Sequence, residues 1–316
     1  MSKKITILGT GNVGATVAYT LTQGSLASEI VLIDVNRAKA EGEAMDISHG
    51  APFSTPLNIY AGDYPDASGS DLVIITSGIG RKPGQSRLEL ASVNTNLMKE
   101  IAPKIASYCP NAVYIIVSNP VDILTYAFIK YSGLPASQVI GSGTMLDTSR
   151  LRALVSKRLQ VSAKNIHAYV FGEHGDSSTF PWSVTSVIGM DFKQYCRSIH
   201  HYTDEQTEVF LRGIEKDVRE AGGEIIKRKG ATYYAIATCV AGIVRAVLSS
   251  NETVLTVSCL AHNRYGIKED VCLSLPCVLG PKGILREVDP PLLPEEMKDL
   301  QNSAKVLKDI MDQVDL

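Results

Sequence analysis

The sequence predicts an α/β fold in which a doubly wound parallel sheet is followed by a second, mixed α/β domain. Short apolar runs alternate with helix-like stretches through the first half of the chain, as in parallel sheets with helical crossovers. A glycine-rich turn separates the first apolar run from the first helix. The alternation loosens after residue 143, and 316 residues suit two domains of about 150 residues each. We therefore expect one domain over residues 1–143 and another over residues 144–316.

The first turn of the chain connects a strand to a helix. A buried strand is predicted over residues 4–9, a helix over residues 15–23 and a second buried strand over residues 29–34. The sequence GTGNVG occupies residues 9–14. Alone, the pattern GxGxxG is weak, but this order of strand, turn, helix and strand is typical of a dinucleotide site.

The residues of this turn suit a pyrophosphate. Gly9 permits the tight turn, Gly11 lets the backbone approach the phosphates, and Gly14 lets the helix pack closely on the strand. Asn12 and Val13 lie in the turn and are candidate cofactor-binding residues, and the N-terminus of the helix that follows offers free N–H groups and the positive end of its dipole. The alternative is a glycine turn that only caps the helix.

Asp34 ends the second predicted strand, 20 residues after Gly14. A carboxylate there can accept hydrogen bonds from a ribose diol and would repel a 2′-phosphate. The sequence therefore predicts a Rossmann-type domain that binds NAD in preference to NADP.

Three further strands are predicted over residues 57–61, 71–76 and 112–117, with a helix over residues 86–107. Asn119 follows the last of these strands, and ligands bind at the carboxyl ends of strands in such sheets. Its side chain could bind the nicotinamide ribose or a substrate. Capping of the next helix explains Asn119 equally well.

Residues 77–87 are rich in glycine and include three basic residues but no acidic one. Such a segment rarely forms a regular element. We interpret it as a mobile lid that carries positive charge toward an anionic ligand. A solvated surface loop is the alternative.

The second half combines helices with shorter β-rich runs. A capping box formed by Thr203 and Gln206 is predicted to open a long charged helix that ends near Lys229. The other predicted elements are helices over residues 147–159, 232–248 and 294–314 and strands over residues 166–171, 254–261 and 271–278. An apolar stripe on the last helix predicts that it packs against the core or another subunit.

Residues 144–182 hold the side chains best suited to chemistry. His174 lies in the sequence GEHGD, whose glycines let the backbone turn and expose the ring. A carboxylate such as Asp147, bonded to one ring nitrogen, would fix the tautomer and favour the protonated ring. Such a histidine can exchange a proton with a 2-hydroxy acid. Arg150 could hold the substrate carboxylate, and Arg87 could polarise its carbonyl, although each residue alone is more often structural.

The chain resembles the NAD-dependent L-lactate/malate dehydrogenase family almost from end to end. The resemblance is carried by GTGNVG at residue 9, RKPGQSR at 81, SNP at 118, LDTSR at 146, GEHGDS at 172 and KGATYYA at 229. It implies that His174 is the acid/base, that Asp147 orients it, that Arg150 anchors the substrate carboxylate and that Arg87 polarises the carbonyl.

The same resemblance implies that Asn119 lies near nicotinamide and substrate, and that Asp34 contacts the adenosine ribose. It also implies a tetramer, or at least a dimer. By the same resemblance, Arg152 and His167 match the pair that binds fructose 1,6-bisphosphate across a subunit interface in regulated bacterial members. At a two-fold interface, two copies of each would make a cationic pocket for phosphates.

The substrate is either a lactate-type or a malate-type acid. Arg81 matches the lid position at which malate enzymes carry arginine, and a second guanidinium would pair with a second carboxylate. Gln85 stands where lactate enzymes often have glutamate, so this lid lacks an acid that could offset Arg81. Thr232 and the motifs near Gly141 and His174 resemble the lactate group instead. We expect L-lactate as the substrate because several motifs agree.

Composition excludes several other classes. A net charge of −2 without a basic block argues against nucleic acid, and no apolar run reaches the roughly 18 residues of a membrane helix. The first predicted strand begins at Lys4, which leaves no room for a signal peptide. Six cysteines without a CxxC pair argue against metal or disulfide frameworks and indicate reduced thiols in a cytoplasm.

Two other functions remain compatible with the motifs. A non-enzymatic NADH sensor would need the glycine-rich turn and Asp34, but would have no use for His174, Asp147 and Arg150 together. A dehydrogenase of bulkier 2-hydroxy acids would use all of them and prefer branched substrates.

Overall fold

The computed structural model describes residues 3–53, 56–80 and 87–316, and within them the side chains of all but Ala51 and Arg87. Its strands are β1 Lys4–Leu8, β2 Glu29–Ile33, β3 Asn58–Ala61, β4 Leu72–Ile75, β5 Val113–Ile116, β6 Val139–Gly141, β7 Ile166–His167, β8 Ser186–Val187, β9 Met190–Asp191, β10 Thr253–Leu260, β11 Cys272–Gly280 and β12 Gly283–Glu287. Its α-helices are α1 Asn12–Gln23, α2 Arg37–His49, α3 Arg87–Tyr108, α4 Val121–Ser132, α5 Met145–Leu159, α6 Phe192–His200, α7 Asp204–Lys229, α8 Tyr234–Leu248 and α9 Pro294–Gln313.

The described strands form a nine-stranded sheet in the order β12-β11-β10-β6-β5-β4-β1-β2-β3. Strands β1 to β6 pair in parallel, whereas β10, β11 and β12 extend the sheet antiparallel from β6. A second sheet has the antiparallel order β7-β8-β9. The predicted parallel sheet followed by a mixed α/β part is therefore confirmed.

The nine-stranded sheet crosses the predicted boundary between the two domains. Gly141 at the end of β6 pairs with Ser258 in β10, so strands from both halves share one sheet. The division into residues 1–143 and 144–316 stays a prediction.

The parallel strands are apolar on both faces because both faces are covered. Ile5 and Ile7 lie in one buried cluster, whereas Leu8 lies in another cluster on the opposite face. Burial of each such side chain contributes about 1.5–3 kcal/mol, and this double burial explains the continuous apolar runs in the sequence.

Two predicted features of the helices are confirmed. Thr203 and Gln206 form the capping box that opens α7, which ends at Lys229 as expected. The apolar stripe of α9 is buried in the core at four of its positions, Leu300, Ala304, Leu307 and Met311.

The strand predicted over residues 166–171 is wrong after His167. Val170 bonds to threonine side chains instead of a neighbouring strand: the hydroxyl of Thr144, the N-cap of α5, donates to the Val170 carbonyl, and Val170 N donates to Thr148 Oγ1 at 3.0 Å. Phe171 forms an isolated antiparallel bridge with Thr179. Alternation of apolar residues cannot reveal that the partner is a pair of threonine side chains.

No helix in the described ranges combines the length and apolarity needed to cross a bilayer.

Candidate active site

The side chains of His174, Asp147 and Arg150 meet in one cluster. His174 Nδ1 lies 2.5 Å from Asp147 Oδ2, and Arg150 Nη1 donates to Asp147 Oδ1 at 3.0 Å. The Asp147 side chain is 9% exposed and the His174 side chain 25% exposed. The carboxylate is thus enclosed between its two partners, whereas the ring keeps an open side that a ligand can reach.

Helix α5 and the turn around Gly172 bring this cluster together. Asp147 and Arg150 are three residues apart on the first turns of α5, so both side chains lie on one face. Gly172 has a φ of +81° and exchanges two main-chain hydrogen bonds with Ser274 in β11, each 2.9 Å long. That left-handed residue lets the chain turn back toward α5, with His174 two residues later.

The cluster favours a protonated imidazole. The negative charge of Asp147 raises the pKa of His174 above its ordinary value, against the opposing effects of burial and of the Arg150 charge. Burial alone would raise the pKa of Asp147, but the charges and hydrogen bonds of His174 and Arg150 hold it below the usual range. An ionised carboxylate beside a protonated ring is the arrangement needed to deliver a proton.

The glycine-rich turn has the shape that a dinucleotide requires. Gly9 has a φ of +94°, and a Cβ on Gly14 would lie 1.9 Å from the Gly9 carbonyl oxygen. Helix α1 therefore packs directly on the turn. A Cβ on Gly11 would meet no described atom within 4 Å, so this side of the backbone is open. Residue Gly11 is the N-cap and offers no side chain to the N–H groups of Asn12 and Val13, which fits binding of phosphate there.

Asp34 is fixed beside this turn. Its Oδ2 accepts hydrogen bonds from Thr10 N at 2.6 Å and Thr10 Oγ1 at 3.0 Å, and its Oδ1 accepts one from Asn36 N at 2.9 Å. Burial raises the pKa of this carboxyl, but the donors of Thr10 and Asn36 outweigh it and leave the pKa below its ordinary value. The ionised carboxylate suits a ribose diol and disfavours a 2′-phosphate.

Asn119 lies at the carboxyl end of β5 with an exposed side chain. The alternative role as a helix cap is not observed, because Pro120 is the N-cap of α4. Asn94, which was not among the predicted site residues, is 1% exposed on α3. Its amide donates to the carbonyls of Asn119 at 2.7 Å and Ile79 at 3.1 Å. A polar residue among the apolar positions of that helix was the available signal.

Part of the predicted lid lies outside the described residues. Arg81 and Gln85 lie outside the described residues, as does the side chain of Arg87, whose backbone begins α3. Thr232 is half-buried in the connection between α7 and α8.

Arg152 and His167 line one open cavity of about 620 Å³, together with Lys164 and Tyr169. Arg152 Nε donates to the Ala168 carbonyl at 3.0 Å, and its guanidinium lies 5.2 Å from the centre of the Tyr169 ring. The structure therefore places both residues on the wall of the same cavity.

Known families match both halves of the chain. The family model described as lactate/malate dehydrogenase, NAD binding domain, matches residues 3–141. That described as lactate/malate dehydrogenase, alpha/beta C-terminal domain, matches residues 144–315. The first match confirms NAD as the predicted cofactor.

Curated relatives match over nearly their whole length. The chain is 48% identical over 311 residues to L-lactate dehydrogenase 1 of Clostridium acetobutylicum, and the match covers 98% of each chain. It is 45% identical over 314 residues to L-lactate dehydrogenase of Acetivibrio thermocellus, which covers 99% of this chain and 98% of the relative.

Solved structures share the whole fold. A lactate dehydrogenase from a Medee basin deep-sea metagenome library superposes with a TM-score of 0.95 at 38% identity, covering 100% of this chain and 99% of the other. The minor L-lactate dehydrogenase of Enterococcus mundtii superposes with a TM-score of 0.93 at 38% identity, and the match covers 99% of this chain and 98% of the other. By sequence and by fold, this chain belongs to the lactate/malate dehydrogenase family.

Proposed function

We propose that this chain is an NAD-dependent L-lactate dehydrogenase that interconverts pyruvate and L-lactate. The observation that carries the proposal is the 2.5 Å contact between His174 and Asp147, with the ring open on one side. An NADH sensor would have no need of this pair beside Arg150. The relatives named L-lactate dehydrogenase support the choice of substrate.

His174 would act as the acid and the base. In pyruvate reduction its Nε2 donates a proton to the carbonyl oxygen, and in lactate oxidation the same nitrogen accepts the hydroxyl proton. Asp147 holds the tautomer through Nδ1 and stabilises the protonated ring. Bound nicotinamide supplies the hydride in one direction and accepts it in the other.

Arg150 would anchor the substrate carboxylate. One of its terminal nitrogens is used by Asp147, and the other has no hydrogen-bond partner in residues 3–53, 56–80 and 87–316. The side chain is only 14% exposed, so a carboxylate that reaches it leaves bulk water and gains a strong charge-assisted bond. Asn119 and Thr232 would complete the substrate site, and Arg87 would polarise the carbonyl from the lid.

The first test is the ratio of kcat/KM for pyruvate to that for oxaloacetate, measured with NADH. We expect pyruvate to be preferred, because several motifs resemble lactate enzymes. Strong preference for oxaloacetate would make the enzyme a malate dehydrogenase, the candidate that Arg81 favours through a pair with the second carboxylate. Faster turnover of branched 2-oxo acids would indicate the broader dehydrogenase instead.

We expect Arg81→Gln to raise the preference for pyruvate over oxaloacetate by about tenfold, the change that roughly 1.4 kcal/mol produces. The physical reason is that a guanidinium over the pyruvate methyl lacks a partner in a dry site. The matched control is Arg286→Gln, because Arg286 is 61% exposed and pairs with Glu252. An unchanged ratio in Arg81→Gln would contradict this role for the lid.

We further propose a cytoplasmic homo-oligomer, a tetramer in the first instance, regulated by fructose 1,6-bisphosphate. The six cysteines are free and buried, which suits a reducing compartment. The cavity that holds Arg152 and His167 is open and also lined by Val254, which is 45% exposed, so a second copy could cover it. Sedimentation of the purified enzyme tests the tetramer.

Arg152→Ala is expected to remove activation by fructose 1,6-bisphosphate while basal kcat stays within about twofold, because the lost charge binds the effector and not the substrate. The measurement is pyruvate turnover at low substrate with increasing effector. Arg286→Ala serves as the control and should keep the response. A wild-type enzyme that does not respond to the effector would rule out the regulatory proposal.

A further inference from the structure

A second carboxylate contacts His174, and it comes from a different element. Asp122 lies in the first turn of α4 and is 2% exposed. Its Oδ2 accepts a hydrogen bond from the main-chain N–H of His174 at 2.8 Å. An acidic residue in the first turn of a helix often only complements the dipole of that helix. This hydrogen bond instead joins α4 to the turn that carries His174 and holds that turn in place.

The environment of Asp122 is unfavourable for a charge. Its Oδ1 is buried without a hydrogen-bond partner among the described residues, and so is Oγ of Ser258 in β10. Burial raises the pKa of Asp122 to about 6, although the nearby Ser258 hydroxyl and the His174 N–H favour the ionised form. The charge of Glu173 contributes to this raised pKa, and the buried thiol of Cys272 in β11 lies close enough for the charge of Asp122 to raise the thiol pKa.

A neutral residue would satisfy the same hydrogen bond at lower cost. Asparagine could accept the His174 N–H through its amide oxygen and place its NH₂ group toward Ser258. Burial of an incompletely paired carboxylate is costly, so its presence beside an acid/base group indicates a use for the charge. The negative charge of the ionised carboxylate raises the pKa of His174 and so favours the protonated ring.

We propose that Asp122 is a positioning residue for His174, which holds the histidine main chain in place and supplies a second negative charge behind the Asp147–His174 pair. The proposal rests on the proposed function, because it concerns the acid/base of that reaction. It differs from the role of Asp147, which contacts the ring itself.

The test is the pKa of His174 in the protein without nucleotide, measured by NMR of ¹⁵N-labelled histidine. We expect Asp122→Asn to lower that pKa by about half a unit or more, because a carboxylate beyond direct ring contact acts less than the 1–3 units of a contacting pair. With NADH, kcat for pyruvate at a pH above the His174 pKa should fall by about threefold, the loss of protonated donor that half a pKa unit produces, with unchanged nucleotide affinity.

Two further variants keep the proposal testable. Ser258→Ala removes one hydroxyl that favours ionised Asp122, so it should lower the His174 pKa in the same direction but by less, even if Asp122→Asn does not fold. Glu296→Gln is the matched control, because Glu296 is also a buried carboxyl but bonds Ser183 and Leu293 instead of His174. Its loss should leave the His174 pKa unchanged.

An unchanged His174 pKa in Asp122→Asn overturns the proposal, and so does an equal fall in Glu296→Gln. If Asp122→Asn does not fold, an unchanged value in Ser258→Ala overturns it. The proposed function fails if the wild-type protein turns over no 2-oxo acid. The NMR titration of His174 without nucleotide does not depend on turnover, so it still decides the role of Asp122.

Discussion

Replacement of His174 by asparagine is expected to lower kcat for pyruvate reduction by about 100- to 10,000-fold, the contribution of a positioned acid/base. Asparagine has a similar reach and can still bond to Asp147, but its amide cannot exchange a proton near neutral pH. Because the glycine-rich turn and Asp34 are formed by other elements, nucleotide affinity should be retained.

The measurement is NADH oxidation by pyruvate, with NADH binding followed by fluorescence. His262→Asn is the matched control, since Nδ1 of His262 lies 2.7 Å from Asp270 in a similar pair whose side chains are 48% and 63% exposed. That variant should keep wild-type kcat. Wild-type turnover in His174→Asn would exclude His174 as the proton donor, and loss of NADH binding would mean that the substitution disturbs more than the chemistry.

Residues that carry the predicted chemistry were identifiable because local sequence constrains them. His174 lies in a short segment with a glycine on each side, and Asp147 and Arg150 are three residues apart on a predicted helix, so their residue types and close spacing already marked them as candidates. The glycine-rich turn was identifiable for the same reason. Gly9 and Gly14 contact each other within a segment of six residues, so a short sequence pattern is enough to show that both positions require glycine.

Positions defined by distant partners were not predictable in this way. Asp122 meets His174 across 52 residues, and Asn94 meets the Asn119 carbonyl across 25. In the sequence, Asp122 resembles an ordinary acidic residue of a helix, and Asn94 resembles a single polar residue on an otherwise apolar helix face. Their significance depends on burial and on partners that only the folded chain brings near.

Helix α2 shows a related difficulty. Residues Arg37–His49 form a helix with only three buried positions, Ala40, Ala44 and Ile47. Alanine gives a weak apolar signal, and the other side chains face solvent, so periodicity did not predict this helix. The capping asparagine Asn36, which accepts a hydrogen bond from Lys39 N, was the stronger indication.

Asp147→Asn is expected to reduce pyruvate turnover by about 100- to 10,000-fold and to change its pH dependence. The amide can accept or donate at Nδ1, so the ring loses its fixed tautomer. It also loses the charge that contributes most to the raised pKa of His174. Burial and the Arg150 charge remain and lower that pKa against the opposing charge of Asp122, so we expect it to fall below the ordinary 6.5.

The direction of the pH effect follows from which form reacts. Pyruvate reduction uses protonated His174, so the wild-type rate falls only as pH rises through a pKa above 6.5. In Asp147→Asn the rate of pyruvate reduction should begin to fall at a lower pH. Lactate oxidation uses the neutral ring, so the pH at which its rate rises should be lowered as well. The profile of kcat/KM in both directions measures this shift, with Asp270→Asn at the exposed His262 pair as the control. A slower enzyme with an unmoved profile would mean that Asp147 orients the ring without setting its charge, because only the electrostatic effect can move the pH at which His174 titrates.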